Sequence, residues 1–233
     1  VNFERGVMCD ESASRLTDRP IARPTEHSAL RPEHSLILAS ASPRRQALLG
    51  RLGLPFVVLP SDIDETMPEE MAPADVAEQL AIAKARAVAA SHPGAVIIGA
   101  DTVVALADPP RLLGKPRDDD EAAEMLRALR GRWHEVSTGV AVVRGERAWH
   151  DVVTAGVRMG DYDDETLARY VATGEPRDKA GAYGYQELGR ALVAEVRGSE
   201  LTVVGLPLRR LAELLVTAGV PLPVTPADVA ETW

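Results

Sequence analysis

A lone carboxylate inside an apolar run is the first residue that could do chemistry. Asp101 lies within Ala95-Val-Ile-Ile-Gly-Ala-Asp-Thr-Val-Val-Ala-Leu106. Burying it unpaired would be costly, so it must meet a cation, a metal or a set of hydrogen bonds. Near a strand end it also stands where open α/β sheets place their ligands. Bases or a metal beside it would tune its pKa for proton abstraction. The plainer alternative is a structural Asp tying down a turn.

Three further groups have suitable chemistry. Ser40-Ala-Ser42-Pro-Arg44-Arg45 stands between a strand and a helix. Its two hydroxyls, the backbone N–H groups of a helix start and two guanidiniums together make an anion site; the alternative is a Ser-capped helix with solvated arginines. Asp62-Ile-Asp64-Glu65-Thr66 follows the Phe56–Leu59 segment. Clustered carboxylates at a strand end suit a hard cation such as Mg²⁺, although an acidic surface loop reads the same way. The string also fits the Asp-x-Asp-x-Thr pattern of haloacid-dehalogenase-type phosphatases, with Asp62 as nucleophile, but Pro60 and Ser61 separate it from the strand. The third group is made of lysines. Lys84 falls at four-residue steps between Leu80 and Val88, on the core-directed face of a helix, so its ammonium must enter a pocket or reach its edge. Lys115 sits in the turn Leu113-Gly-Lys-Pro116, and Lys179 opens Lys179-Ala-Gly-Ala-Tyr-Gly-Tyr-Gln186, whose small residues admit a ligand close to the backbone.

Other chemistries are excluded. The chain lacks Gly-x4-Gly-Lys-Ser/Thr, Gly-x-Gly-x-x-Gly and His-Glu-x-x-His, and its five histidines show no metal spacing. Cys9 is the only cysteine, so there is no intrachain disulfide and no multi-Cys metal site, as fits a reducing compartment. A net charge of −9 repels nucleic acid, and a polyanionic substrate would need a local basic pocket. No run approaches the roughly 18 apolar residues of a membrane span, and there is no apolar signal core near residue 1. The expectation is a soluble, cytoplasmic protein with no nucleic-acid or membrane partner.

The elements that must position these residues read as α/β. Hydrophobic residues are 45% of the chain but aromatics only 4%, so Ala, Val and Leu must build the core. Residues 1–34 are charged, Pro-interrupted and without periodicity, and are read as a disordered tail. Strands are expected at Ser35–Ala39, Phe56–Leu59, Ala95–Leu106, Val136–Val143, Trp149–Val157 and Ala191–Val196. Helices are expected from Pro43 to Gly53 and over Pro73–Ser91, Asp118–Leu129, Asp163–Val171 and Pro207–Ala218. Thr173–Tyr185 reads as a turn-rich loop. One domain over 35–220 is expected, followed by a C-terminal tail at 221–233.

These residues, taken together and in order, resemble the Maf proteins. The blocks are Leu38-Ala-Ser-Ala-Ser-Pro-Arg-Arg45, Asp64-Glu65, Ala83-Lys84-Ala85, Gly99-Ala-Asp-Thr-Val103, Leu113-Gly-Lys-Pro116, Asp178-Lys-Ala-Gly-Ala-Tyr183, Gln186 and Val204-Gly-Leu-Pro207. They span about residues 36 to 218. The resemblance implies a single α/β domain with a mixed, elongated sheet flanked by helices and a deep substrate cleft. It implies a nucleoside-triphosphate pyrophosphatase of nucleotide house-cleaning, with a link to cell-division arrest, and a requirement for Mg²⁺ or Mn²⁺. Asp101 matches the proposed general base, and Arg44, Thr102 and Gln186 match selectivity positions. Glu65, Lys84 and Lys115 match other polar residues of the cleft. Ala100-Asp101-Thr102 together with Lys179-Ala-Gly-Ala-Tyr183 and Gln186 is similar to the branch acting on dTTP and UTP. Tyr185 and Glu187 depart from the usual Ile and Gly, and Glu200-Leu201 replaces a usual Tyr.

The implied mechanism places a metal on Glu65 and Asp101, phosphate contacts on Ser40, Ser42, Arg44, Arg45, Lys84, Lys115 and Lys179, and base reading on Thr102 and Gln186. A non-catalytic nucleotide-binding regulator and an Asp62 phosphatase are the competing readings. A homodimer is left open.

Overall fold

The apolar runs pair into one mixed sheet, because only strand neighbours can satisfy the backbone groups of segments buried on both faces. The structure, a computed structural model, describes residues 36–66 and 70–233. The tail read at 1–34 lies outside the described residues. Seven strands form the sheet: β1 (Leu36–Leu38), β2 (Val57–Val58), β3 (Val96–Ala107), β4 (Pro110–Leu113), β5 (Trp133–Arg144), β6 (Arg147–Met159) and β7 (Val193–Arg197). The order is β2-β1-β3-β5-β6-β7, with β4 also paired to β3. Strands β2, β1 and β3 run parallel and the other pairs are antiparallel. The expected single α/β domain with a mixed sheet flanked by helices is what the chain forms.

One detail of register makes the site. Strand β5 takes one edge of β3 from Val96 to Ala105. On the other edge, β1 pairs only with Val96–Ile98 and β4 only with Val104–Ala107. Among the described residues, 99–103 therefore have no strand on that side. Asp101 and Thr102 stand in this gap, and alternation sends their side chains to opposite faces.

Each face is covered differently. Helix α2 (Pro73–Ala89) starts with Pro73 in its first turn and Asp75 beside it, as helix starts favour. It lies over β3, β5 and β6. Ala77, Ala81 and Ala85 are fully buried there, and the sheet offers them Gly99 and Gly139. A Cβ on Gly99 would stand 2.1 Å from the Ala81 carbonyl oxygen, and one on Gly139 2.2 Å from that of Ala77. Glycine on the strand and alanine on the helix thus bring the backbones together. The opposite face carries the larger core, where α1 (Pro43–Gly50), α3 (Asp119–Leu129), α4 (Asp164–Val171), α5 (Glu200–Val204) and α6 (Leu208–Thr217) contribute Leu48, Leu126, Leu167, Leu201 and Leu211. Asp118 and Asp163 cap α3 and α4 by accepting from Glu121 N and Thr166 N. The segment 221–233 packs back on this unit: Val229 is buried in the larger core, and the Glu231 carbonyl accepts from Glu200 N. The boundary read at 220 therefore falls inside the packed unit. Among the described residues, no helix is long and apolar enough to cross a membrane.

Strands β4 and helix α5 are additions to the sequence reading. Strand β4 hides in a turn-like Pro-Pro-Arg string, and α5 is only five residues long.

His134 gives this core a pH dependence. It is 2% exposed, Nε2 lies 2.7 Å from the Tyr183 hydroxyl, and burial lowers its pKa to about 4. The unfolded chain takes up this proton near the ordinary value of 6.5, whereas the folded chain resists it until about 4. Stability is therefore intact above 6.5 and falls as pH drops towards 4. Urea unfolding at pH 7 and pH 5 should differ by about 2 kcal/mol from this group. In His134→Leu that part of the difference should disappear, at a cost of about 1–2 kcal/mol at pH 7 for the unpaired Tyr183 hydroxyl.

Candidate active site

Close approach of α2 to the sheet brings Lys84 to Asp101. Lys84 Nζ is 2.5 Å from Asp101 Oδ1 and 2.7 Å from Glu65 Oε1. The Lys84 and Asp101 side chains are nearly buried, whereas that of Glu65 is half exposed. Burial would raise the Glu65 pKa, but the Lys84 hydrogen bond and charge, with smaller help from Lys115 and Arg45, hold it below the ordinary value. Lys84 holds both carboxylates, so removing it would leave the buried Asp101 without its counter-charge, and the three form one unit.

The loop after β1 builds the adjoining wall. Ser42 caps α1 by accepting from Arg45 N at 3.5 Å, and Pro43 fills the first helical position. Ser40 is buried and its Oγ accepts from Ser42 N. Arg45 turns inward: Nε donates to the Gly205 carbonyl at 3.0 Å, Nη1 to Ser40 Oγ at 3.2 Å and Nη2 to Thr102 Oγ1 at 3.2 Å. Burial lowers its pKa, partly offset by the Asp101 charge. Arg45, expected among the phosphate contacts, thus spends three of its N–H groups inside the protein. It ties β1, β3 and the α5 end together.

The opposite wall comes from the 174–185 loop. Arg44 Nη1 reaches Asp178 Oδ2 at 3.5 Å, and Lys179 Nζ donates to Asp178 Oδ1 at 2.8 Å and to the Glu175 carbonyl at 2.9 Å. Burial raises the Asp178 pKa, but Lys179 and Arg44 hold it below the ordinary carboxylate value. Lys179 is therefore a bolt in this loop. Lys115 is exposed and, among the described residues, forms no ion pair.

These walls enclose a cleft of about 700 Å³. Ser40, Ser42, Arg44, Arg45, Glu65, Lys84, Asp101, Thr102, Lys115 and Lys179 all line it. Asp62, Asp64 and Gln186 do not. Asp62 is exposed and off the cleft, although Ser61 and Glu65 line it. Gln186 lines a separate, more open depression with Thr173, Glu175 and Leu188, and its Oε1 is buried without a partner. Tyr183, Gly184 and Tyr185 line the cleft, the Tyr185 hydroxyl donating to Glu200 at 2.6 Å, and the bend at 185–187 carries Gln186 to the other depression. Tyr183 and Val204, members of the ordered blocks, supply apolar lining with Val203, which the sequence did not single out, and neither did it single out Thr138 beneath Thr102. A lone Ser-Thr pair within the apolar strand β5 was the available signal for Thr138.

The arrangement gathers cations inside a chain of net charge −9. It can hold a polyanion beside a carboxylate pair that could hold a proton or a cation.

Comparison with known proteins agrees with this geometry. Residues 35–218 match the family described as Maf-like protein. The chain is 48% identical over 187 residues to the dTTP/UTP pyrophosphatase of Symbiobacterium thermophilum, covering 80% of this chain and 95% of that protein. It is 50% identical to the protein of that name from Thermomicrobium roseum, covering 81% and 86%, and 51% identical to the one from Moorella thermoacetica, covering 79% and 95%. With a family match over most of its length and relatives about half identical across theirs, the chain belongs to the Maf-like protein family.

Proposed function

We propose that the chain hydrolyses dTTP and UTP to the nucleoside monophosphate and pyrophosphate. The observation that carries this reading is the Asp101–Lys84–Glu65 unit, set in a cleft with Arg44 and Lys115 in a chain so similar to relatives named for that reaction.

Asp101 is the group placed to orient water and take its proton for attack at the α-phosphorus. Lys84 holds this carboxylate in place through its hydrogen bond to Oδ1. Lys115 and Arg44 face the charge that develops as pyrophosphate leaves. Apolar lining from Val76, Leu80 and Val103 lowers the local dielectric and so strengthens these contacts.

The residues also fit a divalent cation. Lys84 takes one oxygen of Glu65 and one of Asp101; the second oxygen of each carboxylate would serve a divalent cation, since carboxylate oxygens suit Mg²⁺ or Mn²⁺. Among the described residues, no group of three or more His, Cys, Asp or Glu is placed to hold a metal ion by itself, so phosphate oxygens and water would complete the shell. A cation there would neutralise phosphate charge and polarise the reacting phosphoryl group.

Incubation with dTTP or UTP and Mg²⁺ should yield monophosphate and pyrophosphate in equal amounts. Orthophosphate with nucleoside diphosphate would overturn the reading and favour a phosphatase. Tight nucleotide binding without either product would favour a regulator.

A further inference from the structure

The gap in β3 exposes two successive residues with different duties, and the second is controlled from beneath. Thr138 on β5 is fully buried, pairs with Thr102 in the β3–β5 ladder and touches it side chain to side chain at 2.9 Å. Its Oγ1 also lies 2.8 Å from the Thr202 carbonyl oxygen. A carbonyl carries no hydrogen, so Thr138 must donate to it. That uses the one hydroxyl hydrogen of Thr138, so in the contact with Thr102 its Oγ1 can only accept. Thr102 is thus the donor there and its own hydrogen is spent. Arg45 has no acceptor atom, so its Nη2 contact at 3.2 Å takes up one Thr102 lone pair. The chain of donors runs one way, from Arg45 through Thr102 and Thr138 to the backbone of α5. Thr102 lines the cleft and has one lone pair left.

We infer that Thr138 is a positioning residue that makes Thr102 a hydrogen-bond acceptor only, and that Thr102 takes a donor from the nucleoside and not a phosphate oxygen. Ionised phosphate oxygens are acceptors and would meet that lone pair with no hydrogen between them. The donors a uridine or thymidine nucleotide offers are the base N3–H and the sugar hydroxyls. The sheet supports the same division, because Asp101 points to the α2 face and Thr102 to the other. The phosphates belong with Lys84 and Asp101, and the nucleoside with Thr102. An acceptor at this position rejects a group of the same polarity, as cytosine presents at N3, more strongly than a shape difference would. This inference rests on the cleft being a nucleoside-triphosphate site.

Binding separates it from the proposed reaction, because no turnover is needed. Calorimetric titration would use α,β-imido analogues of UTP, CTP, 3′-deoxy-UTP and 3-methyl-UTP with Mg²⁺ on wild type, Thr138→Val and Thr138→Ser. Thr138→Val frees the Thr102 hydrogen to turn into the cleft. If the base N3–H is the partner, the preference for the UTP over the CTP analogue falls about tenfold in Thr138→Val and is retained in Thr138→Ser. If a sugar hydroxyl is the partner, the preference for UTP over its 3′-deoxy analogue falls instead. Two stably folded variants with both preferences unchanged would overturn the inference. Should Thr138→Val not fold, the wild type decides: equal affinity for UTP, 3-methyl-UTP and 3′-deoxy-UTP analogues overturns it, and loss of about tenfold with either supports it. Selective binding by a protein that never releases pyrophosphate would sink the proposed reaction alone.

Discussion

Asp101→Asn should lower kcat for dTTP or UTP by about 10²–10⁴-fold, the usual worth of a positioned general base. The substitution keeps size and most hydrogen-bonding capacity but removes the charge and the proton-accepting oxygen. Lys84 loses its 2.5 Å partner yet keeps Glu65 at 2.7 Å, so its ammonium is not stranded and the fold should survive. A thermal midpoint close to wild type, with turnover nearly gone, is the expected pair of observations. Because Asp101 is also one of two carboxylates proposed to hold a divalent cation, the residual activity should need more Mg²⁺. Turnover close to wild type would show that the attacking water is activated elsewhere.

The second large effect is expected far from any reacting atom. Gly99→Ala places a methyl group 2.1 Å from the Ala81 carbonyl oxygen and 2.9 Å from both Ala85 N and Ala85 Cβ. Neither side can yield by a side-chain rotation, since the obstacle is the backbone of α2. Either the helix lifts off the sheet or the strand bends, and overpacking of this severity costs about 3 kcal/mol or more. The helix carries Lys84, so lifting it also draws the ammonium from Asp101. Urea denaturation should show the loss of stability, and kcat/KM should fall in whatever fraction stays folded. Gly139→Ala, 2.2 Å from the Ala77 carbonyl oxygen, should behave alike. Gly50 at the end of α1 has nothing within 4 Å of an added Cβ, and Gly50→Ala should change stability by less than about 1 kcal/mol. A Gly99→Ala protein as stable as Gly50→Ala would contradict the close approach described.

The two glycines show what could be read along the chain and what could not. Alternation and helical periodicity located most of the strands and helices, because burial on one or both faces leaves a local trace in sequence. The same logic singled out Asp101, a charge in a strand, and Lys84, a charge on a core-directed helix face, and these two meet. Arg45 was legible as a cation at a helix start but not as a tie, because its carbonyl partner Gly205 is 160 residues away. The Lys179 contacts were not legible for a similar reason, since a lysine followed by small residues looks free until the loop folds back on Asp178 and Glu175. Gln186 was placed in the cleft on resemblance, whereas the local backbone gives that side to Tyr185. The gap in β3 was beyond reach, since it depends on where β1 stops and where β4, unseen in the sequence, begins.

The most direct test of the central claim is hydrolysis of dTTP in H₂¹⁸O with Mg²⁺, followed by mass spectrometry of both products. Attack at the α-phosphorus by water held at Asp101 predicts one ¹⁸O in the monophosphate and none in an equal amount of pyrophosphate. Label in the pyrophosphate, or release of orthophosphate in its place, would contradict it.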